Sequence, residues 1–380
     1  MYDYAIVGAG INGSFMAHLL SQEGKSVAIF DPKGIAGSGS GAAGAFLSPK
    51  VGKGGPLQQF VNQAYEYSIN YYEKHFSHLL TQKGLLQIPK DRPEADDDFL
   101  LFKKIASSLS SDIPASILDP MCEQTLGAKG IYYKSGAIIE PGELCKELIR
   151  NADLFIQEVS ELVFEDNAWH LNKKIKAKHL ILATGAYDFI IKEDYFKLRP
   201  VWGERIEIIS DTKLSCNYHQ KISVSATKAN GHIVIGATHE QHSYDKPLQD
   251  SAANTLLKQA QALIDLKNVK LVDHRGGVRS GSFDYFPLVG PLVDANATLE
   301  KHPDLIKGAK LSSDLFTYHE NLSVINGVGG RGFILAPYLA TQLCSFLLKK
   351  QELNPAILPS RLFVRWAKKE PSLKKHKDSV

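Results

Sequence analysis

The stretch YAIVGAGINGSFMAHLL, residues 4–20, decides the fold. It opens with a short apolar run, passes through three glycines and continues with apolar residues at helical spacing. This order predicts a buried parallel strand that turns directly into a helix. Gly8, Gly10 and Gly13 have the spacing G-x-G-x-x-G. The first suits a tight turn, the second lets backbone approach a pyrophosphate, and the third lets helix pack on strand.

The residues that follow complete a βαβ unit. The helix is predicted to end at Gly24, and the next strand, SVAIFD (26–31), ends in Asp31. An acid about 20 residues after the glycines accepts hydrogen bonds from ribose hydroxyls. We therefore predict a dinucleotide site with the helix N-terminus facing the phosphates. A glycine turn in some other α/β unit is the alternative.

A second glycine turn, GVGGRGF (327–333), stands near the other end between a predicted strand and a predicted helix. One use for a second helix N-terminus is to place its dipole beside a ring that becomes anionic on reduction, as a flavin does. This turn favours FAD over a nicotinamide, and Asp31 argues against NADP, whose phosphate prefers arginine. A helix start packed tightly on the first unit is the alternative.

The remaining segments indicate a divided chain. A strand is predicted at 178–188, a long helix at 57–80, and β-rich segments from 199 to 270, interrupted by a helix at 250–266. We predict an α/β (α+β overall) fold, with a Rossmann-type FAD-binding domain and an inserted, mainly antiparallel substrate domain. The predicted FAD-binding domain consists of residues 1–84, 136–195 and 272–370. The predicted substrate-binding domain consists of residues 85–135 and 196–271, and the basic tail of residues 371–380.

Charge is concentrated at the C-terminus. Residues 361–380 contain seven Lys or Arg and two acids, although the whole chain has a net charge of only +3. A near-neutral body with a basic tail is typical of a protein with a polyanionic partner. A solvated, frayed terminus is the alternative.

Several classes of site are not indicated. The four cysteines are far apart, which predicts neither a zinc site nor disulfides and fits a reducing cytoplasm. No signal peptide is predicted, and the apolar run 333–348 is short for a bilayer span and contains Pro337, so we expect a buried helix and no membrane partner. No P-loop, serine elbow or H-E-x-x-H helix occurs.

These motifs resemble those of the FAD-dependent amine oxidoreductases related to D-amino-acid, glycine and sarcosine oxidases. The match covers most of the chain. Besides the first glycine motif with Asp31, the matching segments are GSGSGAAGAF (37–46), LILATGAYD (180–188), LRPVWGE (198–204), RSGSFDYFPLVG (279–290) and GVGGRGFILAP (327–337). The resemblance implies FAD as cofactor. The residues it implies for cofactor binding are Gly8, Gly10, Gly13, Asp31, Ser40, Gly44, Val159, Gly185, Gly330 and Gly332.

The resemblance also implies the group that holds the substrate. Arg279 matches the arginine of the R-x(4)-D motif, which binds the substrate carboxylate. A guanidinium is suited to holding a carboxylate at two points. An ion pair with Asp284 or Asp273 is the structural alternative.

Three further residues are catalytic candidates. Arg331 lies in the flavin turn, and Lys53 aligns with a lysine that would act on the reduced flavin, on oxygen or on tRNA phosphate. His239 follows a strand that would end over the substrate side of the flavin. For each of them a surface or structural role is the alternative.

One branch of the family fits best, the oxidoreductase domains of bifunctional tRNA-modifying proteins. Residues 44–72 and 360–369 carry this likeness. It implies FAD-dependent removal of the carboxymethyl group from 5-carboxymethylaminomethyl(-2-thio)uridine at the tRNA wobble position. It also implies tRNA as partner, and a separate methyltransferase acting on the product, because no methyltransferase domain precedes the flavin strand. Glu204 stands where this branch predicts glutamine, which concerns the substrate pocket.

Other functions remain open at this point. A small-molecule amino-acid, glycine or sarcosine-type amine oxidase needs the same flavin motifs and Arg279. A flavin-bearing tRNA-binding protein without turnover, and a 2-hydroxyacid dehydrogenase of related fold, are further alternatives. Of the tRNA enzyme and the small-molecule oxidase, only the tRNA enzyme needs the basic tail and the RLFVR stretch, which phosphates would neutralise.

Overall fold

The computed structural model describes residues 1–52, 54–81, 84–90, 95–108, 115–118, 130–187 and 190–369, with backbone alone at 105–108 and 115–118. The helices in these ranges are α1 Ile11–Gln22, α2 Pro56–His75, α3 Ala95–Ser108, α4 Pro141–Leu148, α5 Asp250–Gln261, α6 Ala295–Lys301, α7 Gly332–Lys349 and α8 Ser360–Lys369. The strands are β1 Tyr2–Val7, β2 Val27–Phe30, β3 Phe46–Leu47, β4 Leu80–Thr81, β5 Leu85–Gln87, β6 Ala115–Leu118, β7 Gly130–Tyr133, β8 Ala137–Ile139, β9 Asp153–Phe155, β10 Leu162–Glu165, β11 Ala168–Leu171, β12 Ile175–Leu182, β13 Arg199–Ile209, β14 Asn217–His219, β15 Ser223–Val224, β16 His232–Gly236, β17 Glu240–Gln241, β18 Lys270–Gly281, β19 Leu288–Val293 and β20 Tyr318–Asn326.

The first sheet is the one that the opening glycine motif predicts. Its parallel strands follow the order β9-β2-β1-β12-β20, with β19 antiparallel to β20 and the β10–β11 hairpin antiparallel to β12. Ala5 and Ile6 in β1 and Ile29 in β2 are fully buried, as expected for parallel strands covered on both faces. Because β1 and β12 are parallel neighbours, their carboxyl ends open at one edge, where ligands of such sheets bind.

The second sheet forms a wall of the site. Its order is β17-β13-β16-β15-β14-β5-β7-β6, and β18 also pairs with β13; all pairs are antiparallel except β5 with β14. Helix α5 packs its apolar side on one face through Leu256, against Ile206 and Ile208. The predicted fold class is therefore confirmed. A small third sheet joins β3, β8 and β4.

The predicted two-domain division remains a proposal, and the sheets favour one change to it. Strand β18 continues through the proposed boundary between residues 271 and 272, with a shift of register there, and it pairs with β13 along nearly its whole length. A boundary after Gly281 keeps this strand in one unit. Residues 371–380 lie outside the described part of the chain.

A side-chain hydrogen bond replaces the backbone hydrogen bond that Pro337 removes from helix α7. Pro337 has no amide hydrogen, so the carbonyl of Phe333 lacks its helical donor. The buried hydroxyl of Tyr72 in α2 donates to that carbonyl at 2.8 Å. The aromatic residues of α2 therefore serve helix packing.

The helical stretch Gly329–Lys349 is the one candidate membrane span within the described residues. Its length and composition would allow it to cross a membrane, and half of it is buried inside the protein. It packs against α1 and α2, as predicted for a buried helix. Three cysteines, Cys145, Cys216 and Cys344, are free and buried, and Cys122 lies outside the described residues.

Candidate functional site

The first glycine loop lies at the carboxyl end of β1, and glycine is needed at each of its positions for a different physical reason. Gly8 has φ +111°, and a Cβ there would lie 2.3 Å from the carbonyl oxygen of Ala183. A Cβ on Gly13 would lie 1.9 Å from the carbonyl oxygen of Gly8. Both glycines are required by packing. At Gly10 a Cβ would meet only Ser40, with its Oγ at 3.1 Å, so the backbone there is open on its remaining side.

Asp31 and Ser40 fasten this loop as well as facing the cavity. Asp31 Oδ2 accepts a hydrogen bond from the Ala9 amide at 2.9 Å, and Oδ1 accepts one from the Lys33 amide at 2.9 Å. Ser40 Oγ accepts a hydrogen bond from the Ile11 amide at 2.9 Å. The first amide of α1 is thus satisfied by a hydroxyl, which the motif alone does not reveal. The remaining lone pairs of Asp31 are available to a ribose.

One cavity of about 1360 Å³ brings most of the predicted site residues together. This volume exceeds the several hundred to roughly 1,000 Å³ of ordinary ligand pockets, so it has room for a dinucleotide and a second molecule. Gly13 does not line the cavity, and Lys53 lies outside the described residues. The predicted residues that do line it are Gly8, Gly10, Asp31, Ser40, Gly44, Val159, Gly185, His239, Arg279, Gly330, Arg331 and Gly332.

Arg279 in β18 presents a half-buried guanidinium to this cavity. Its Nη1 donates to the carbonyl oxygen of Thr238 at 3.1 Å. A Cβ on residue 203 would lie 2.2 Å from Nη1, so glycine at that position makes room for the guanidinium. Burial lowers the pKa of Arg279, because a charge is costly away from water.

The ion pairs predicted as the structural alternative for Arg279 are not formed. Asp284 binds Arg361 through two hydrogen bonds, at 2.8 and 2.9 Å. Asp273 accepts a hydrogen bond from Arg275 at 2.6 Å. Among the described residues Arg279 therefore has no acidic partner, and its remaining N–H groups are available to an anion.

Arg331 is a second cation without an acidic partner in the described part of the chain. It stands at the N-cap of α7, where the positive end of the helix dipole also lies. Burial lowers its pKa to about 10. The pKa of Lys50, which lines the same cavity, is lowered by burial and by the charge of Arg331.

His239 is neutral at pH 7 in this arrangement. Its pKa is lowered by burial and then by the charges of Arg279 and Arg199. A neutral imidazole in the cavity wall accepts or donates one hydrogen bond at each ring nitrogen without adding charge.

Glu204 does not lie in the substrate pocket, which corrects the prediction made for it. Its Oε1 accepts a hydrogen bond from Trp202 Nε1 at 3.0 Å, and its Oε2 lies 2.7 Å from His274 Nε2. The carboxylate is buried on the α5 side of β13 and accepts the Gln249 amide at 3.1 Å. Because side chains alternate along a strand, Gly203 and Arg205 face the cavity instead.

The motifs did not identify three of the charged or titratable residues in the cavity wall. Arg205 is buried, donates to the Ala42 carbonyl at 3.0 Å and pairs with Glu207 at 2.6 Å. His219 accompanies Lys50 in the wall, and its pKa is lowered to about 4 by burial and by nearby Arg331 and Lys90. The alternation of β13 is the one sequence signal that could have identified Arg205.

Comparison with known proteins agrees with this geometry. The family model described as FAD dependent oxidoreductase (DAO) matches residues 3–345. The tRNA 5-methylaminomethyl-2-thiouridine biosynthesis bifunctional protein MnmC of Legionella pneumophila (strain Corby) is 28% identical over 380 residues, covering 94% of this chain and 55% of that protein. The chain thus spans about half the length of the curated relatives it matches.

Two solved structures show the same fold. Glycine oxidase from Bacillus cereus ATCC 14579 superposes with a TM-score of 0.75 at 21% identity, covering 93% of this chain and 96% of the oxidase. Iminodiacetate oxidase from Chelativorans sp. BNC1 superposes with a TM-score of 0.73 at 18% identity, covering 93% of this chain and 97% of that oxidase. At these identities the likeness concerns the fold alone.

Proposed function

The chain belongs to the FAD-dependent oxidoreductase family, and on that premise we propose that it removes the carboxymethyl group from 5-carboxymethylaminomethyl(-2-thio)uridine at the tRNA wobble position. The predicted cofactor, FAD, and the predicted class of enzyme, an oxidoreductase acting on a CH–NH group, are confirmed at the level of the family. The tRNA substrate is supported by the names of the MnmC relatives at modest identity. The small-molecule alternative is less favoured.

The residues of the glycine loop fit FAD. Gly10 leaves its backbone open, Asp31 has lone pairs for a ribose, and the N-terminus of α1 carries a partial positive charge for the pyrophosphate. Val159 and Gly185 line the same cavity. Bound FAD supplies an acceptor for a hydride from the carbon next to the substrate nitrogen.

The observation that carries the proposal is Arg279. It is a half-buried cation in the cavity, and no acid balances it among the described residues. Such a group strongly favours an anionic ligand, because burying an unpaired charge is costly. The substrate arm ends in a carboxylate attached to the carbon that is oxidised. We infer that Arg279 holds this carboxylate and thereby fixes the methylene.

Arg331 and His239 complete the charge pattern that we propose. Arg331 and the N-terminus of α7 favour negative charge at their part of the cavity wall. His239, being neutral, accepts a hydrogen bond from the substrate N–H without repelling the amine. Lys53 keeps its predicted role as a proposal.

Besides the substrate, the proposed reaction needs only water and an acceptor for the electrons. The C–H bond of the methylene breaks, a hydride and a proton leave, and a C=N bond forms. Water adds to this imine, and the C–N bond breaks to give glyoxylate and the 5-aminomethyl uridine. The product is a primary amine, which a methyltransferase would then methylate. A cytoplasmic location follows from the proposed tRNA substrate.

The test is an anaerobic reduction experiment. The yellow holoenzyme is mixed with tRNA bearing the carboxymethylaminomethyl wobble uridine and, in parallel, with glycine and sarcosine. Flavin bleaching and glyoxylate are measured. Of the three substrates, we expect only the tRNA to bleach the flavin and to yield glyoxylate.

The variant Arg279→Lys tests the carboxylate contact. We expect it to keep its FAD and to lower kcat/KM by roughly 100-fold or more, because a lysine cannot replace a bidentate contact to a buried carboxylate. Arg275→Lys, at an arginine more than half exposed, is the matched control. Bleaching by sarcosine or glycine but not by the tRNA would show a small-molecule oxidase instead.

A further inference from the structure

A short loop between β18 and β19, residues 282–286, places two aromatic side chains in solvent; we call it the mouth loop. Phe283 is 51% exposed and Tyr285 is 64% exposed, and Tyr285 lines the cavity that contains Arg279. Between them Asp284 points inward. Large aromatic rings are normally buried, so two exposed ones at the mouth of a cavity indicate a surface that binds something.

The mouth loop is held by several hydrogen bonds of Asp284. Asp284 binds Arg361 of α8 through two hydrogen bonds and also accepts the Ser282 hydroxyl at 3.1 Å and the Phe286 amide at 3.2 Å. These contacts hold Tyr285 at φ +66°, a left-handed conformation that is unusual for a bulky residue. A residue kept in such a conformation by its neighbours marks a position where geometry matters.

The ring of Tyr285 has a cationic partner. The guanidinium of Arg199 lies 4.3 Å from the ring centroid, while Arg199 Nε donates to the Ser282 carbonyl at 3.0 Å. Within the part of the chain that the structure describes, no other ring packs on Tyr285, and no acid pairs with Arg199. The result is an aromatic ring with a cation beside it, in a side chain that is 64% exposed.

We propose that Tyr285, supported by Arg199, is a stacking platform for an RNA base next to the nucleotide that is oxidised. This rests on the proposed function and names how its RNA substrate is held. Single-stranded RNA is commonly held by bases stacked on aromatic rings and by cations near its phosphates. The charge of Arg199 complements a polyanion, and the continuity of the ring with the cavity places the stacked base beside the reacting one. An amino-acid-sized substrate inside the cavity would have no use for this plane.

The test compares Tyr285→Ala with Tyr285→Phe in the holoenzyme. The probes are an anticodon stem-loop RNA carrying the carboxymethylaminomethyl uridine and the free nucleoside. Stacking on an aromatic ring contributes about 1–3 kcal/mol per base, so Tyr285→Ala should weaken RNA binding roughly 5- to 150-fold, and Tyr285→Phe should stay within about 2-fold of wild type. The free nucleoside, which has no neighbouring base to stack, should lose less than about 2-fold, and the salt dependence of RNA binding should not change.

Tyr244→Ala is the matched control, because Tyr244 is 50% exposed but does not line the cavity. It should bind RNA like the wild type. The proposal is overturned if Tyr285→Ala binds RNA normally, if Tyr285→Phe is equally weakened, or if RNA and nucleoside lose the same factor. Oxidation of the nucleoside without RNA binding would reject the platform alone. RNA binding that depends on the Tyr285 ring, without oxidation of either probe, would reject the proposed chemistry alone.

Discussion

The guanidinium of Arg279 occupies the space that a side chain at Gly203 would need, since a Cβ on residue 203 would lie 2.2 Å from Nη1. The conflict is with the end of a flexible side chain, so Gly203→Ala should fold and should displace the guanidinium. We expect kcat/KM to fall at least about 10-fold, because an approximately 1 Å misplacement of a positioning group has large effects. Stopped-flow flavin reduction measures it. Gly142→Ala, where a Cβ meets nothing within 4 Å, is the control. Unchanged kinetics in Gly203→Ala would mean that the guanidinium position is not critical.

The proposed contact between Asp31 and FAD predicts a cofactor defect. Asp31→Asn keeps one oxygen for the Ala9 amide, but it loses the acceptor of the Lys33 amide and the charge that strengthens hydrogen bonds to a ribose. We expect the FAD dissociation constant to rise roughly 10-fold, measured by titrating the apoprotein and following flavin fluorescence. Asp265→Asn, at a surface ion pair with Lys267, should bind FAD normally. Normal affinity in Asp31→Asn would leave Asp31 as a fastener of the loop only.

The ion pair between Asp284 and Arg361 predicts a loss of stability in acid. Burial alone would raise the pKa of Asp284, but Arg361 holds it below its ordinary value. Because the folded pKa is depressed, the stabilisation is present above the ordinary pKa and is lost as the pH falls through the folded one. Arg361→Met should lower the free energy of unfolding by about 1–3 kcal/mol at pH 7 and by less near pH 3. Equal losses at both pH values would contradict this account.

His179 predicts a second, milder acid dependence. Burial lowers its pKa to about 4, and its Nε2 lies 3.0 Å from Ser323 Oγ. The unfolded chain therefore binds a proton between pH 6.5 and 4 that the folded chain does not, so stability falls over this window. His179→Gln should reduce the difference in unfolding free energy between pH 7 and pH 5 by about 1–2 kcal/mol. The exposed His78→Gln is the control. An unchanged difference would show that His179 titrates normally in the folded protein.

The basic tail gives a prediction outside the described residues. Replacing Lys374, Lys375 and Lys377 with glutamine should weaken tRNA binding and flatten its salt dependence, because fewer counterions are released. The slope of log affinity against log salt should fall by up to about 2. Filter binding at several salt concentrations measures both quantities. An unchanged affinity and slope would exclude the tail as the tRNA contact.

The dinucleotide half of the site could be predicted because its requirements are local. Gly13 is fixed by a contact with Gly8 within one βαβ unit, and Asp31 follows the next strand, although the contact that requires Gly8 comes from Ala183. The ends of elements were less accurate. The predicted helix 57–80 stops at His75, because the chain then turns through a short 3-10 segment, Ser77–Leu79. A local pattern does not contain the tertiary contact that ends a helix.

The substrate half was harder because its parts are distant in sequence. Nothing near Asp284 in the sequence indicates that Arg361 rather than Arg279 binds it, and that choice is what leaves Arg279 unpaired. The position of Glu204 was misjudged for a simpler reason. Successive side chains of β13 point to opposite faces of the sheet, which places Gly203 and Arg205 on the cavity side. A family motif alone does not show on which face of the strand each of its residues lies.

The pairing of Asp284 with Arg361 has a practical consequence for handling the protein. Helix α8 is anchored to the mouth of the site by its second residue, and the basic tail continues from its end. A truncation before residue 360 would therefore act as an active-site mutation, although it removes only C-terminal residues. An affinity tag or a fusion partner attached after the basic tail would be joined to the protein through this same helix.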